Sequence, residues 1–328
     1  MPEARWVAVV VAAVLLAIST GAAGTDVVRV ALDWTPNTNH TGIFVARDAG
    51  YFAEEGLDVV VIEPGPTVGL QLVAAGHAEF AVSMQEEVTM ARAQGFPVLS
   101  IAALYPHNTS GFAAARDRGI ATPADFAGRR YAGWGSELEE VMIRTVMAAF
   151  GADDRSVERV NMGTIDFCTA IRRDLADFFW IFYGWDGVHA VLEGIDFVYI
   201  PLADLAPELD YYTPVIVTSE RLAADDPDLV SRFVRALARG ATYTALHPDD
   251  AADALLRHAP ELDRDLVLAS QRWLAGQSVT ELAAWGWQDP AVWQRFAEWA
   301  FDGGLIDVAI DPDLAFSNAF LPSGDPAP

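Results

Sequence analysis

Residues 27–65 read VVRVALDWTPNTNHTGIFVARDAGYFAEEGLDVVVIEPG. The apolar run 27–32 predicts a strand, 41–49 a helix stopped by Gly50, and 57–62 a second strand closed by Pro64-Gly65. The same alternation continues outward. A helix is expected over 69–75 with Gly76 as its stop, a strand over 79–83, a helix over 86–94 ending at Gly95, and a strand over 98–105. Short apolar runs separated by helix-length segments build a mostly parallel sheet flanked by helices, so the fold class is α/β.

A second run of this kind begins near Gly111. Tyr131-Ala132-Gly133 ends a strand, and Ser136 with Glu139 forms an S-x-x-E capping box that opens a helix reaching Phe150. Further short strands are expected at 159–162, 178–182 and 197–199. Beyond Thr213-Pro214 the chain reads as mainly helical. Asp226-Pro227 caps one helix, and Val230, Phe233, Val234 and Leu237 form a single apolar stripe at helical spacing. The late aromatics Trp285, Trp287, Trp293, Phe296 and Trp299 are expected to pack terminal helices together. Two α/β lobes followed by helices suggest a clamshell: residues 25–110 plus 214–322 as the first lobe, 111–213 as the second, and 323–328 as a tail. Open α/β sheets take ligands beyond the carboxyl ends of their strands, so two facing sheets place a ligand in the cleft between them.

The 328 residues carry 46 Asp and Glu against 21 basic side chains, a formal charge of −25. No basic face offers itself to nucleic acid or anionic lipid. Every basic side chain other than histidine is Arg, and the single cysteine, Cys168, excludes an internal disulfide and a thiolate metal cluster. At the N-terminus, Arg5, the apolar run 6–18 and the small residues 19–24 follow the order of a signal peptide, with Gly21-Ala22-Ala23 as a cleavage site. The same segment, retained, would be a membrane anchor. Residues 1–24 are therefore expected to direct the chain to a periplasmic or other extracytoplasmic location.

No catalytic constellation emerges. The six histidines show no metal-ligand spacing, and His247 and His258 are expected to be solvated. There is no nucleophile elbow and no Walker loop. Gly133-Trp134-Gly135-Ser136 before a helix offers backbone N–H groups to an anion. The pairs Glu86-Glu87 and Glu139-Glu140 sit on expected helices, where a solvated face is the default and neighbouring positions diverge. No catalytic residue, metal or cofactor is assigned.

Several blocks are more specific: Ala31-Leu32-Asp33-Trp34-Thr35-Pro36-Asn37-Thr38-Asn39-His40-Thr41-Gly42, then 46–52 and 54–59, Gly95-Phe96-Pro97-Val98, Gly133-Trp134-Gly135-Ser136, Tyr183-Gly184-Trp185-Asp186-Gly187 and 210–215. In this order they resemble the thiamine-precursor binding proteins and the related fungal pyrimidine synthases. The resemblance implies a type II periplasmic-binding-protein fold whose lobes close on a methylpyrimidine and deliver it to an ATP-driven permease. Trp34, Tyr105, Trp134, Tyr183 and Trp185 then offer faces for stacking a heterocycle. Asn37, Asn39, Gln85 and Glu86 offer the donors and acceptors that an aminopyrimidine edge demands. Asp33, His40, Gly135, Ser136 and Asp186 complete the expected ligand-binding set, with Asp186 standing where the pyrimidine binders are expected to carry Glu.

The fungal-type synthase needs a Lys to hold pyridoxal phosphate and a His to be consumed. Those positions align with Ser83 and Glu87, and the chain contains no Lys, so no internal aldimine can form. The expectation is a binding protein and not an enzyme. It is a monomer whose partners are a small aromatic heterocycle and an importer's permease and ATPase. Formylaminopyrimidine, hydroxymethylpyrimidine and riboflavin all suit such a cleft. A sulfonate would want an Arg-rich site, for which Arg92, Arg144 and Arg172 are the candidates.

Overall fold

A computed structural model describes residues 25–65, 68–161, 163 and 165–322. The expected signal or anchor segment at 1–24 and the expected tail at 323–328 lie outside the described residues.

Ten strands form two sheets. The first sheet holds β1 (Asp26–Ala31), β2 (Leu57–Ile62), β3 (Phe80–Ser83), β4 (Val98–Ala103) and β10 (Val215–Ser219), in the order β2-β1-β3-β10-β4. The second holds β5 (Ser110–Ala115), β6 (Arg130–Gly133), β7 (Glu158–Asn161), β8 (Phe178–Phe182) and β9 (Phe197–Pro201), in the order β7-β6-β8-β5-β9. Central strands β3 and β10 are buried at every residue, as expected of strands covered on both faces.

Two strands went unread in the sequence, β5 and β10, and they share a cause. Each is the first strand after the chain crosses from one sheet to the other. Both run back between two strands that point the other way. Accordingly β10 lies antiparallel between β3 and β4, and β5 antiparallel between β8 and β9. Each sheet is thus mixed, where a mostly parallel one was expected. The run Val215–Ser219, placed in a mainly helical region by sequence, is a central strand.

The helices obey their local signals. Asp226 caps Pro227–Leu246 by accepting from the Leu229 N–H, and Val230, Phe233, Val234 and Leu237 of that helix are fully buried against the first sheet. This helix crosses Thr41–Asp48 so closely that a Cβ on Gly240 would fall 2.3 Å from the Gly42 carbonyl oxygen. Trp285, Trp293 and Phe296 are buried, whereas Trp287 is exposed. His258, expected in solvent, is paired with Asp48 at 2.7 Å and stacks on Phe44. Among the described residues no helix is long and apolar enough to cross a membrane.

The two chain crossings are bound to each other. Asn108 Nδ2 donates to the Leu209 carbonyl at 2.9 Å, its backbone N–H donates to Asp210 Oδ1, and its Oδ1 accepts from both the N–H and the hydroxyl of Ser110. The ends of β1, β3, β6 and β8 lead on to the segments that carry Asp33, Gln85, Trp134 and Tyr183. The turn after β8 meets the Arg264–Ala275 helix: Ser270 Oγ bonds Thr38 Oγ1 at 2.6 Å and donates to the Gly184 carbonyl.

Candidate functional site

On the first lobe, the segment after β1 is held by its own side chains. Asn37 caps the short turn Thr38–His40, its Oδ1 accepting from the Asn39 N–H at 2.9 Å. The Asn37 N–H donates to His40 Nδ1 at 3.2 Å. That makes Nδ1 an acceptor, so Nε2 carries the hydrogen and donates it to Asp33 Oδ1 at 2.6 Å. His40 is fully buried, and its ring fixes where the Asp33 carboxylate sits. Trp34, next in the chain, is 54% exposed.

A second set arrives from the end of β3 and the first turn of the Gln85–Ala93 helix. Glu86 is buried, and its Oε2 has no hydrogen-bond partner among the described residues. Burial, with Glu87 and Asp33 adding repulsion, pushes its carboxyl well above the usual range. Glu87 is also raised, by burial first and by Asp33, although Ser83 Oγ donates to its Oε2 at 2.6 Å. The Tyr211 hydroxyl, near enough to Glu86 to be raised by it after burial, is likewise buried without a partner. Three carboxyl groups gather here, and among the described residues no Arg pairs with any of them. The expectation of a solvated Glu86-Glu87 pair is therefore corrected. Their helix begins where a fully buried strand ends, and that junction is the signal the sequence held.

On the second lobe, Gly133-Trp134-Gly135-Ser136 is wrapped around Glu139. This buried carboxylate accepts from Tyr131 Oη (2.7 Å), Trp134 N–H (2.9 Å), Ser136 N–H (2.7 Å) and Ser136 Oγ (2.9 Å). The two glycines follow from it: a Cβ on Gly133 would lie 1.7 Å from Glu139 Oε1, and Gly135 has φ +78° with Asn161 Nδ2 2.6 Å from its would-be Cβ. The loop's inward N–H groups are thus spent on an internal anion, which corrects its reading as an anion receptor. What the loop presents instead is Trp134, 42% exposed and edge-on to Trp180 at 5.2 Å. Behind it pack Trp180, buried with its Nε1 unpartnered among the described residues, and Phe182; neither was singled out from sequence.

The Tyr183-Gly184-Trp185-Asp186-Gly187 turn serves the lobe contact. Tyr183 lies 4.9 Å from Trp273 and 4.7 Å from Tyr199, ring to ring. Trp185 is partly buried against the first lobe's core. Asp186 Oδ2 accepts from the Phe182 N–H at 3.0 Å, yet burial and then Asp166 push its carboxyl up to about 6.

Of the expected ligand contacts, Trp34 and Trp134 are exposed after the ends of β1 and β6, Asp33 is held by His40, Glu86 is buried at the start of its helix, and Asp186 lies in the turn after β8. Asn37 and His40 support the segment after β1, while Gly135 and Ser136 shape the Trp134 loop. Gln85 is corrected to a scaffold role: its Oε1 accepts from the Tyr212 N–H at 2.8 Å and its Nε2 faces the Val292 carbonyl. Tyr105 is buried and, with Asn39, lines a cavity of about 30 Å³ behind the rim, room for water and not for a ring. Arg92 pairs with Glu220, Arg144 with the Gly303 carbonyl and Arg172 with Glu193, so none of the candidate arginines serves an anion site.

Comparison with known proteins bears on this arrangement. The profile of the NMT1/THI5-like family matches residues 37–251. The chain belongs to the NMT1/THI5-like family. It is 30% identical to the formylaminopyrimidine-binding protein of Halalkalibacterium halodurans over 89% of this chain and 90% of that one. It is 27% identical to a 4-amino-5-hydroxymethyl-2-methylpyrimidine phosphate synthase of Legionella pneumophila, over 90% and 92%, and 30% identical to the riboflavin-binding protein RibY of Chloroflexus aurantiacus, over 90% and 86%. Among solved structures, the periplasmic aliphatic sulphonate binding protein SsuA of Escherichia coli superposes with a TM-score of 0.71 at 11% identity, over 92% of this chain and 96% of that one. The fold is that of a periplasmic binding protein, α/β with two lobes.

Proposed function

We propose that this chain is the extracytoplasmic solute-binding protein of an ATP-driven importer and that its ligand is an aminopyrimidine precursor of thiamine. Its lobes would be residues 25–110 plus 214–322 and residues 111–213, closing by bending at the two bound crossings. The observation that carries the reading is the pairing of an acidic rim with an aromatic one: Asp33, Glu86 and Glu87 on one lobe, Trp134 and Trp180 on the other. Burial raises the proton affinity of these carboxyls, and a carboxyl in its protonated form presents both a donor and an acceptor, which is what the N–C–NH2 edge of an aminopyrimidine complements. Flat indole faces supply the stacking. An anionic ligand gains nothing from such a rim.

Family members named as synthases make the enzyme reading the natural rival. Against it stand Ser83 and Glu87, bonded to each other at the positions expected for the synthase lysine and histidine, in a chain with no Lys at all. Riboflavin is the second reading, supported by the similarity to RibY and by the exposed Trp34 and Trp134.

Thermal unfolding of the protein beginning near Thr25, with formylaminopyrimidine, hydroxymethylpyrimidine, thiamine or riboflavin, tests these readings. Ligand at one hundred times its Kd stabilises by about 2.7 kcal/mol, so a pyrimidine should raise the midpoint plainly. A rise with riboflavin alone would move the protein to flavin uptake, and silence from all four would overturn the heterocycle reading.

A further inference from the structure

Away from the carboxyls of the first lobe, two short helices of the second lobe bring together the chain's one cysteine, a histidine and a carboxylate. Cys168 lies in Phe167–Arg172, which follows β7, and His189 in Val188–Leu192, which follows the turn after β8. Cys168 Sγ is 3.7 Å from His189 Nδ1, and His189 Nδ1 is 3.3 Å from Asp166 Oδ2; all three atoms lie within 4.8 Å of one another. Tetrahedral zinc binds sulfur at about 2.3 Å and nitrogen or carboxylate oxygen at about 2.0–2.2 Å, so ligand atoms around it stand about 3.3–3.6 Å apart. The 3.3 Å separation matches those edges and the 3.7 Å one lies just beyond them, while the Cys168–Asp166 pair, within 4.8 Å, closes on an ion by side-chain rotation.

The surroundings complete the case. Asp166 uses Oδ1 to cap its helix, accepting from the Thr169 N–H at 2.8 Å, which leaves Oδ2 for the cluster. The other imidazole nitrogen, His189 Nε2, has Glu193 Oε1 at 3.9 Å, one helical turn on, and Glu193 is itself paired with Arg172. At 3.9 Å the Glu193 approach is a charge contact and not a hydrogen bond; closing it would orient the ring as a carboxylate behind a metal-ligating histidine does. Asp166 and His189 are 42% and 33% exposed at their side chains, so an ion can enter from their side while Cys168 closes the inner face. We propose that Cys168, His189 and Asp166 form a binding site for a zinc-class divalent cation, with a fourth position left to water. Sequence spacing gave no hint of it, because residues 166–168 and 189 meet only through the packing of two helices on one sheet. A cation here would tie those helices together at the base of the Tyr183–Gly187 turn. The site is independent of which heterocycle the cleft takes.

The test is titration of chelator-stripped protein with cobalt(II) under a non-thiol reductant. The expected result is one cobalt per chain, a thiolate-to-cobalt charge-transfer band, the visible bands of a four-coordinate ion, and loss of both on adding equimolar zinc. Cys168→Ser, close in shape, should abolish the charge-transfer band, and His189→Ala should weaken binding at least tenfold; far-UV circular dichroism shows that each variant is folded. Because the acidic surface can hold divalent ions weakly, the charge-transfer band decides. Its absence at saturating cobalt overturns the proposal, as does its persistence in Cys168→Ser or a stoichiometry of one cobalt per two chains.

Discussion

Replacing Glu139 isolates what shapes the second lobe's rim. The carboxylate accepts four hydrogen bonds, paired so that each oxygen takes one backbone N–H and one hydroxyl. In Glu139→Gln one of those pairs faces an NH2 group. The hydroxyl of that pair can rotate to accept from it, which leaves one backbone N–H opposed. An unmet, half-buried N–H costs about 1–2 kcal/mol, at the lower part of the range for buried donors. In Glu139→Ala both N–H groups and the buried Tyr131 hydroxyl lose their acceptor together, for a total of about 3–5 kcal/mol. Ser136 Oγ still faces the backbone N–H of residue 139, so the helix cap survives in part. The assay is urea unfolding followed by near-ultraviolet circular dichroism, where the edge-on Trp134–Trp180 pair contributes. Glu139→Gln should unfold at lower urea than the parent, and Glu139→Ala lower still with its aromatic signal weakened before unfolding begins. Should Glu139→Ala fall within about 1 kcal/mol of the parent with an unchanged aromatic spectrum, the internal-anion account of the loop is wrong.

Glu86→Gln should stabilise the protein at pH 7. A carboxyl raised in the folded state binds its proton more tightly there than in the unfolded chain, so stability is lost as pH rises from the unfolded value of 4.5 through the folded one. The amide removes that loss, and the variant's advantage should grow from pH 4.5 to pH 7 in parallel denaturation curves; an advantage constant with pH refutes it. Trp34→Ala and Trp134→Ala, at exposed positions, should leave the unliganded melting point nearly unchanged. Each should weaken ligand binding by roughly 2–10-fold in calorimetry, the equivalent of about 0.5–1.5 kcal/mol of stacking. Full affinity in both variants would remove the indoles from the site.

The sequence exposed whatever depends on neighbours along the chain. Strands β2 and β8 were read to the residue, the Ser136–Glu139 box caps its helix, and the stripe from Val230 to Leu237 faces the core. Strand β10 escaped because its direction and centrality come from a return crossing that only the tertiary path defines. The site divides the same way. Trp34 and Trp134 were legible as aromatics beside strand ends. Trp180 was hidden inside a strand that reads as pure core, and the burial of Glu86 reflects where the Gln85–Ala93 helix starts relative to a distant Asp33 and Tyr211. Gln85 and Tyr105 have the right chemistry for ligand contact, but Gln85 is spent on the Tyr212 N–H and Tyr105, in the bend after β4, is buried.

The polar contacts between the lobes suggest how ligand and closure are linked. Thr38 belongs to the segment that His40 and Asp33 organise, and its hydroxyl reaches Ser270, which in turn donates to the Gly184 carbonyl at the head of the Asp186 turn. In the proposed reading, a ligand held by Asp33 on one lobe and Trp134 on the other would lie beside this contact. Gly184 carries this contact because a Cβ there would meet Leu274 at 2.9 Å and push the turn off the helix. Closure is favoured only to the extent that ligand contacts are better in the closed form. The Tyr183–Gly187 turn, with Tyr183 against Trp273 and Tyr199 and Trp185 against the first core, therefore serves packing first.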